Sequence, residues 1–237
     1  MIISFKNKYI FICVSKTGTT SIENFLLEHD PTVFNNHVPL NGQTIHFKDH
    51  DYPETIKKKI GALYDQFNTF AFVRNPHSQW VSSYFFDRQK IFLKDGKFPE
   101  WLKNTSWGYV LRVITTKVFP FWIWCLIYPN RNSLKKYLID QNGYPLVNYV
   151  GLYENLNSDF QKITREIGLD FNSDQLPVSN KSKHKEYESY FRFNFVRKLF
   201  NRKIKTDLKL YNYFYNKGIS HNGIDPILNE ISPNESK

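Results

Sequence analysis

The sequence predicts an α/β fold: a single domain over residues 1–237 with a central parallel sheet flanked by helices. Patterns typical of buried strands alternate with helical patterns along the chain, as expected when crossover helices connect parallel strands. A length of 237 residues fits one domain of this class and is enough to bury a core without disulfides or metals. The sequence shows no internal repeat or low-complexity linker that would divide it.

The first strand and helix are predicted within the first thirty residues. Lys8 to Val14 is a nearly continuous apolar run, typical of a strand that is buried on both faces. Thr20 to His29 follows with apolar residues at helical spacing, and Thr20 and Glu23 have the spacing of a capping box. A short polar turn therefore connects a buried strand to a helix.

A second strand and helix follow the same pattern. Glu54 to Tyr64 has apolar residues on one helical face, and Phe67 to Val73 is a second buried-strand candidate. This strand ends at the tripeptide "RNP", after which a helix is predicted from about His77 to Ile91.

The later elements continue the alternation of helix and strand. They are a helix over Ser133 to Gln141, a strand over Leu146 to Leu152, a helix from the N-cap Asn157 to Ile167 with Gly168 as its stop, and helices over Lys185 to Lys203 and Asp207 to Lys217. In such a sheet, ligands bind beyond the carboxyl ends of the strands.

The composition favours an anionic partner. Lysine and arginine outnumber aspartate and glutamate 32 to 22, for a net charge of +10. Nucleic acid, an acidic membrane surface and a phosphorylated small molecule all remain open on this ground alone.

The cysteines and apolar segments indicate a cytoplasmic protein. Cys13 and Cys125 each lie in an apolar stretch, which predicts two buried thiols rather than a disulfide framework. Met1 to Lys8 lacks the pattern of a signal peptide. The most apolar window, Val118 to Tyr128, is shorter than the roughly 20 residues that a spanning helix needs, so no transmembrane segment is expected.

Two strand-to-helix turns carry cations. "SKTGTTS" offers the Lys16 ammonium, hydroxyl groups and the N–H groups of a helix N-terminus to one anion, and Gly18 lets the backbone come close. "FAFVRNPHSQWVSSY" places Arg74 at the end of the second strand and Ser82 on the following helix. Two cationic strand ends on one sheet predict a ligand with two separated anionic groups.

The pattern differs from those of two common nucleotide-binding folds. An NTPase loop would read GxxxxGK followed by Ser or Thr, whereas Lys16 here precedes Gly18. The second strand ends in Arg74 rather than in an aspartate that could hold magnesium. A dinucleotide fold would need GxGxxG, which the sequence lacks.

Three motifs resemble those of sulfotransferases. "SKTGTTS" is similar to their 5'-phosphosulfate loop, and "FVRNPHSQWVSSY" to their 3'-phosphate motif. "VGLYENLNSDFQKITREIGLDFNSDQLPVSNKS" resembles a segment of bacterial and carbohydrate sulfotransferases. The resemblance covers about Tyr9 to Ser182 in order and spacing. The chain departs from the family pattern at Ser15, Ser78, Gln79 and Leu152.

The resemblance implies a P-loop-like sulfotransferase architecture, with 3'-phosphoadenosine 5'-phosphosulfate as co-substrate and no metal. The acceptor is expected to be a hydroxyl on a carbohydrate, and no nucleic-acid partner is expected. Arg74 and Ser82 would hold the 3'-phosphate, and Lys16 would also stabilise the leaving phosphate. The 5' end would be held by Lys16, Thr17, Gly18, Thr19, Thr20 and Ser21.

The reaction also needs a base near the acceptor hydroxyl. The family often places a histidine or an acidic residue between the two phosphate loops, and the segment "HFKDHDYPET" lies there. His50 is the first candidate, since it precedes a predicted helix and aligns best with a Lys-His-x-Thr-like pattern in similar bacterial sulfotransferases. A histidine suits this task because its unperturbed pKa lies near neutrality. His46, Asp49 and Glu54 remain open, and His37 less so.

Several residues keep two interpretations. Glu154 and Asn155 could order a turn or contact ligand. Trp101, Trp107, Trp122 and Trp124 could form a sugar-stacking platform, although core packing or a lid is favoured. Lys181, Lys183, His184 and Lys185 could clamp a nucleotide or form a solvated basic face.

Two other function classes compete with the sulfotransferase. One is a basic, non-enzymatic protein that binds nucleic acid or an acidic membrane, and the other is a metal-dependent phosphoryl transferase. The identity of the acceptor and the oligomeric state are left open by the sequence.

Overall fold

The computed structural model describes residues 1–90, 92, 102, 105–130, 133–169, 171, 176–177, 185–218 and 227. The chain divides into two compact units. The first comprises Met1–Asn75, Asn132–Asn180 and Thr206–Lys237, and the second comprises Pro76–Arg131 and Lys181–Lys205.

Seven strands lie in the described part of the first unit. They are β1 (Ile2–Ser4), β2 (Tyr9–Ile12), β3 (Val33–Asn35), β4 (His37–Leu40), β5 (Gln43–His46), β6 (Asn68–Val73) and β7 (Tyr149–Leu152). Five of them form one sheet in the order β3-β1-β2-β6-β7, and β4 and β5 form a separate hairpin.

Nine α-helices lie within the described residues. They are α1 (Thr19–His29), α2 (Pro53–Ile60), α3 (Pro76–Arg88), α4 (Trp107–Val118), α5 (Phe121–Ile127), α6 (Lys135–Leu138), α7 (Leu156–Glu166), α8 (Asn194–Lys203) and α9 (Lys205–Lys217). Three 3₁₀ turns accompany them, over Gly61–Gln66, Tyr153–Asn155 and Tyr187–Tyr190.

The sheet is mixed rather than wholly parallel. β2, β6 and β7 are parallel to one another, as predicted for the central strands. β1 is antiparallel to both β2 and β3, so the prediction of a parallel sheet is wrong for this part. Only four residues separate β1 from β2, and so short a connection can join only antiparallel strands.

Helices cover both faces of the sheet, which explains why its central strands are apolar on both sides. Ile10 and Ile12 belong to a buried cluster that includes residues of α2, α6 and α9. Tyr9 and Phe11, which alternate with them along β2, belong to a second cluster with residues of α1 and α7.

A glycine allows β6 and β7 to pair closely. Gly151 lies directly opposite Phe72 in the register of these strands. A Cβ atom at position 151 would lie 2.4 Å from Cε1 of Phe72, so the aromatic ring occupies the space that any larger residue would need.

The second unit is helical in its described part and consists of α3, α4, α5 and α8. Its interior is largely aromatic, with rings of α3, α5 and α8 in edge-to-face contact: Trp80 and Trp124, Trp80 and Phe200, Tyr84 and Phe121. One buried ion pair joins α3 to α4, with Nε of Arg112 2.5 Å from Oδ2 of Asp87.

The strong patterns were predicted correctly, and the weak ones were not. Strands are confirmed within the predicted ranges Lys8 to Val14, Phe67 to Val73 and Leu146 to Leu152, the last of them only over its final four residues, and the helix after the first turn is also confirmed. The predicted helix over Ser133 to Gln141 shrinks to α6. The helix predicted over Glu54 to Tyr64 ends at Ile60 and is followed by a 3₁₀ turn, and the helix predicted over Lys185 to Lys203 begins only at Asn194. Asn157, the predicted N-cap, lies inside α7.

Both cysteines are buried thiols, as predicted. Among the described residues, no helix combines the length and apolar character that crossing a membrane requires.

Candidate functional site

The candidate site lies at the carboxyl edge of the three parallel strands. Ile12 of β2 pairs with Ala71 of β6, and Val73 of β6 pairs with Leu152 of β7, so the three strands end side by side. The segments that leave them begin at Cys13, Arg74 and Tyr153. This edge is where a sheet of this kind binds ligands.

Two left-handed residues shape the loop between β2 and α1. Lys16 has a φ of 66°, and Gly18 has a φ of 80° and is the N-cap of α1. The hydroxyl groups of Thr17 and Thr19 both donate to the carbonyl oxygen of Val14, at 2.8 and 2.7 Å. These two hydroxyl protons therefore hold the loop on the end of β2.

The other loop residues differ in exposure. Thr20 is exposed in the first turn of α1, whereas Ser21 is buried. Of the three threonines of the loop, Thr20 is the exposed one, and the first N–H groups of α1 lie at the same end of the helix.

Gly18 is required by packing as well as by its backbone conformation. A Cβ atom at this position would lie 2.8 Å from Cδ2 of Leu156 and 3.3 Å from Cδ2 of Tyr153. The loop after β2 is thus in contact with the segment that follows β7.

The predicted capping box of Thr20 and Glu23 is wrong. The N-cap is Gly18, which has no side chain, and no side-chain hydrogen bond caps α1. Glu23 instead accepts a hydrogen bond from the Cys13 thiol, with 3.1 Å between Sγ and Oε1. Burial raises the pKa of Cys13 well above its usual range, so this cysteine is a neutral thiol and not a nucleophile.

Arg74 connects the ends of the neighbouring strands. Its Nη1 donates to the carbonyl oxygen of Lys16 at 3.3 Å, and its guanidinium lies 4.1 Å from the ring centroid of Tyr153. The structure therefore brings the two predicted cationic turns together.

Tyr153 was not singled out by the sequence analysis. The sequence feature that could have identified it is its position directly after the third predicted strand, where an aromatic ring can contact a cation at the end of the adjacent strand. The guanidinium is consequently held from two sides, by a ring and by a carbonyl.

Carboxylates order the neighbouring backbone. Oε1 of Glu154 accepts the N–H of Asn75 at 2.9 Å, and Oδ2 of Asp159, which is buried, accepts the N–H of Leu152 at 2.8 Å. For Glu154, this contact supports the interpretation as a residue that orders a turn.

His50 lies beside the end of β2. Its Nδ1 is 2.8 Å from the carbonyl oxygen of Cys13. Since a carbonyl can only accept, Nδ1 carries the proton, and Nε2 is the basic nitrogen of the neutral ring. The arrangement gives the imidazole the tautomer that a general base needs.

The other base candidates have different surroundings. The ring of His46 packs against that of His37, with 4.8 Å between centroids, in the β4–β5 hairpin. Oδ1 of Asp49 accepts a hydrogen bond from the side chain of Asn36. Glu54 is exposed in the first turn of α2. His50 is the candidate whose side chain has a described contact with the segment leading to Lys16.

The remaining predicted residues lie elsewhere. Ser82 is buried on α3, in the second unit, where Gln79 is also buried. Of the four tryptophans, Trp124 is a core residue, as favoured, whereas Trp107 and Trp122 are exposed. Residues outside the described part of the chain are Trp101, Lys181, Lys183 and His184.

A cavity of about 330 Å³ lies in the first unit against β7, α7 and α9. Val150, Leu152, Asp159 and Phe214 are among its lining residues. The lining includes neither Lys16, Arg74 nor His50, so the cavity and the cationic edge are separate features of this unit.

Chemically, the edge is suited to an anion. It presents the cations of Lys16 and Arg74 next to the N-terminus of α1, where unpaired N–H groups and the helix dipole favour negative charge.

Comparisons of the chain with protein-family models, with curated proteins and with solved structures gave no match. Arguments about function therefore depend on the sequence motifs and on this geometry.

Proposed function

We propose that the chain is a sulfotransferase that moves the sulfuryl group of 3'-phosphoadenosine 5'-phosphosulfate to a hydroxyl group, with a carbohydrate as the expected acceptor. One observation carries the proposal: Arg74 contacts the backbone of Lys16 at the carboxyl edge of the sheet, so the two turns that resemble sulfotransferase motifs are neighbours. The co-substrate carries anionic groups at both its 5' and 3' positions, as two cationic turns require.

At the 5' end, the loop residues would bind the phosphosulfate. The Lys16 ammonium, the backbone of residues 16–20 and the Thr20 hydroxyl are its donors in this proposal. Thr17 and Thr19 act indirectly, because their hydroxyl groups hold the loop in shape. As the bond between sulfur and the phosphate oxygen breaks, Lys16 stabilises the negative charge that develops on the leaving phosphate.

At the acceptor, His50 would serve as the base. Nε2 takes the proton of the hydroxyl while the acceptor oxygen forms its bond to sulfur. Nδ1 donates to the carbonyl oxygen of Cys13 throughout the reaction. Arg74 keeps its proposed role at the 3'-phosphate, and for Ser82 that role rests on the motif resemblance alone.

Nucleotide binding without metal is the first test. We expect 3'-phosphoadenosine 5'-phosphate, the product, to bind in the presence of EDTA in a calorimetric titration, and adenosine 5'-phosphate to bind more weakly because it lacks the 3'-phosphate. Absence of binding at millimolar nucleotide would remove the donor assignment. Binding only with magnesium would favour a phosphoryl transferase instead.

Replacement of Arg74 by alanine tests the second turn. A charge-assisted hydrogen bond contributes about 1.5–3 kcal/mol. Arg74→Ala should therefore lower the affinity for 3'-phosphoadenosine 5'-phosphate roughly tenfold or more, and the affinity for adenosine 5'-phosphate much less. Equal weakening of both nucleotides would mean that Arg74 only holds the Lys16 loop. Tyr153→Leu, which removes the ring beneath the guanidinium but no charge, is the matched control for disturbed packing.

A further inference from the structure

The second unit exposes apolar side chains beside cations on a surface that the proposed reaction does not use. We call it the α5–α8 surface and define it by Trp122 of α5, Phe193 just before α8, and Phe195, Lys198, Leu199 and Arg202 of α8.

The apolar side chains of this surface form one cluster. The rings of Trp122 and Phe193 are 6.0 Å apart, as are those of Phe193 and Phe195. Trp122 is 38% exposed, and Phe193, Phe195 and Leu199 are 51%, 59% and 46% exposed. Single exposed apolar residues are common on proteins, but a contiguous group of aromatic rings marks an interaction site.

Helix α8 arranges its side chains in parallel stripes. Val196 and Phe200 are buried and attach the helix to its unit. Phe195 and Leu199 are exposed and four residues apart, so they lie on one line along the helix. Lys198 and Arg202, also exposed and four apart, form the adjacent line. An apolar line beside a cationic line is the pattern of a helix that lies at a membrane surface.

The two chain segments that carry this surface are basic, although Arg112 within them pairs with Asp87 of α3, and Glu186 and Glu188 come shortly before the second segment. Residues 105–129 and 191–205, which include α4, α5 and α8, hold eight lysines and arginines and no aspartate or glutamate. Helix α4 of the same unit adds a second exposed apolar line, which contains Trp107, Leu111, Ile114 and Val118. A partner with negative charge and an apolar interior fits both features.

We propose that the α5–α8 surface docks the protein on an anionic lipid bilayer. Lys198 and Arg202 contact the headgroups, and Phe195 and Leu199 enter the boundary between headgroups and acyl chains. A single-stranded nucleic acid would match the cations and the rings, but it would gain little from the aliphatic side chain of Leu199, which has no π face for stacking.

Vesicle binding by the full chain tests the proposal. We expect it to cosediment with phosphatidylcholine vesicles that contain 30% phosphatidylglycerol (about −1 charge per three lipids) and not with pure phosphatidylcholine, and to dissociate as salt rises. Lys198→Gln with Arg202→Gln should lower the partition coefficient by about 20-fold or more. Phe195→Ser with Leu199→Ser should lower it by at least about tenfold.

Matched variants in the first unit are the controls. Leu27 is 44% exposed on α1, close to the value for Leu199, and Lys58 is exposed on α2. Leu27→Ser and Lys58→Gln should each change vesicle binding less than about twofold if the α5–α8 surface is specific, since the general attraction of a basic protein remains. All of these positions are exposed, and circular dichroism checks that each variant is folded.

Four results would overturn the proposal. The first two are no binding to anionic vesicles at low salt and an equal loss of binding in the control variants. The third is preferential binding of a single-stranded oligonucleotide that the same substitutions abolish. The fourth is a dimer that does not bind vesicles and that dissociates when Phe195→Ser and Leu199→Ser are introduced. The proposal does not depend on the sulfotransferase assignment, because the α5–α8 surface contains no residue of the proposed site. The α5–α8 variants should therefore bind 3'-phosphoadenosine 5'-phosphate as the unchanged chain does.

Discussion

At the scale of single residues, the backbone at Lys16 is unusual. A non-glycine residue in the left-handed region costs roughly 1–2 kcal/mol, and Lys16 has a φ of 66°. Strain of this kind persists where the surroundings fix it and is frequent in ligand-binding loops. Here the Thr17 and Thr19 hydroxyls and the Arg74 guanidinium all bond to backbone carbonyls of the loop, which fixes the backbone from which the Lys16 side chain extends.

Two substitutions at Lys16 separate charge from strain. Lys16→Ala and Lys16→Gly both remove the ammonium, but only glycine relieves the left-handed backbone. Both variants should lose affinity for 3'-phosphoadenosine 5'-phosphate roughly tenfold or more, whereas Lys16→Gly should be about 1 kcal/mol more stable than Lys16→Ala. Calorimetry and urea unfolding measure the two effects. Unchanged nucleotide affinity in both variants would show that the turn binds no phosphate.

The role of His50 can be tested independently of nucleotide binding. His50→Ala should leave nucleotide affinity nearly unchanged and lower turnover by around 10²- to 10⁴-fold, the usual effect of losing a positioned base. His50→Gln is the matched variant, because its amide can still donate to the Cys13 carbonyl but cannot accept a proton at neutral pH. If either variant keeps near-normal turnover, another group is the base, and Asp49, Glu54 and His46 should be replaced in that order.

Gly18→Ala should destabilise the protein more than Gly42→Ala does. Both glycines have a positive φ, 80° and 76°, so both substitutions bear the left-handed cost of about 1 kcal/mol. Only Gly18 would also bring its Cβ against Leu156, since nothing lies within 4 Å of a Cβ at Gly42. Overpacking adds about 1–3 kcal/mol, measured as the difference between the two free energies of unfolding. Equal values for the two variants would mean that the Leu156 contact relaxes without cost.

At the scale of elements, the pairing of α3 and α8 in the second unit includes a buried histidine. Nε2 of His77 on α3 lies 2.7 Å from the side-chain oxygen of Asn201 on α8. Burial lowers the pKa of His77, because the charged ring would lose its hydration, and the nearby Arg197 lowers it further, while the bond to Asn201 and the charge of Glu188 oppose the shift. The folded protein therefore holds His77 neutral.

Stability should consequently fall as the pH drops below about 6.5. In that window the unfolded chain binds a proton at His77 and the folded chain does not, so acid favours unfolding, and the stabilisation is complete only above the unfolded pKa. His77→Gln removes this titration and should have a flatter dependence of the free energy of unfolding on pH between about 7 and 5. Parallel pH curves for the two proteins would show that His77 already takes up its proton in the folded state.

The elements that sequence patterns predicted are those with strong apolar runs or long helical periods. β2, β6 and β7 are buried on both faces, and their residues are apolar almost without interruption. β1 and β3 have three residues each, which is too short for a period to appear, so neither they nor the antiparallel part of the sheet could be predicted. The prediction of a capping box failed for a different reason: Glu23 had the right spacing, but its carboxylate accepts a hydrogen bond from Cys13, ten residues earlier and outside the helix.

At the scale of the whole molecule, the sequence could predict which strand ends share an edge but not what holds them. Parallel neighbours must end on the same side, so the meeting of Lys16 and Arg74 followed from the order of the elements. The bond from Arg74 to the Lys16 carbonyl and the contact of Arg74 with the ring of Tyr153 depend on side-chain directions between residues about 60 to 80 positions apart, which periodicity does not encode.

Linkage between nucleotide binding and folding gives the last prediction. A ligand that binds only the folded chain adds about 2.7 kcal/mol to the free energy of unfolding at 100 times its dissociation constant and about 4.1 kcal/mol at 1,000 times, or about 1.4 kcal/mol per tenfold rise. The proposed single site at the sheet edge therefore predicts this slope for 3'-phosphoadenosine 5'-phosphate in EDTA, read from urea unfolding at a series of nucleotide concentrations. Inorganic sulfate at equal ionic strength controls for the general attraction between anions and a chain of net charge +10. A slope near zero would mean that the loop does not bind the nucleotide. A slope twice as steep would mean that the folded chain has a second nucleotide site away from the edge that holds Lys16 and Arg74.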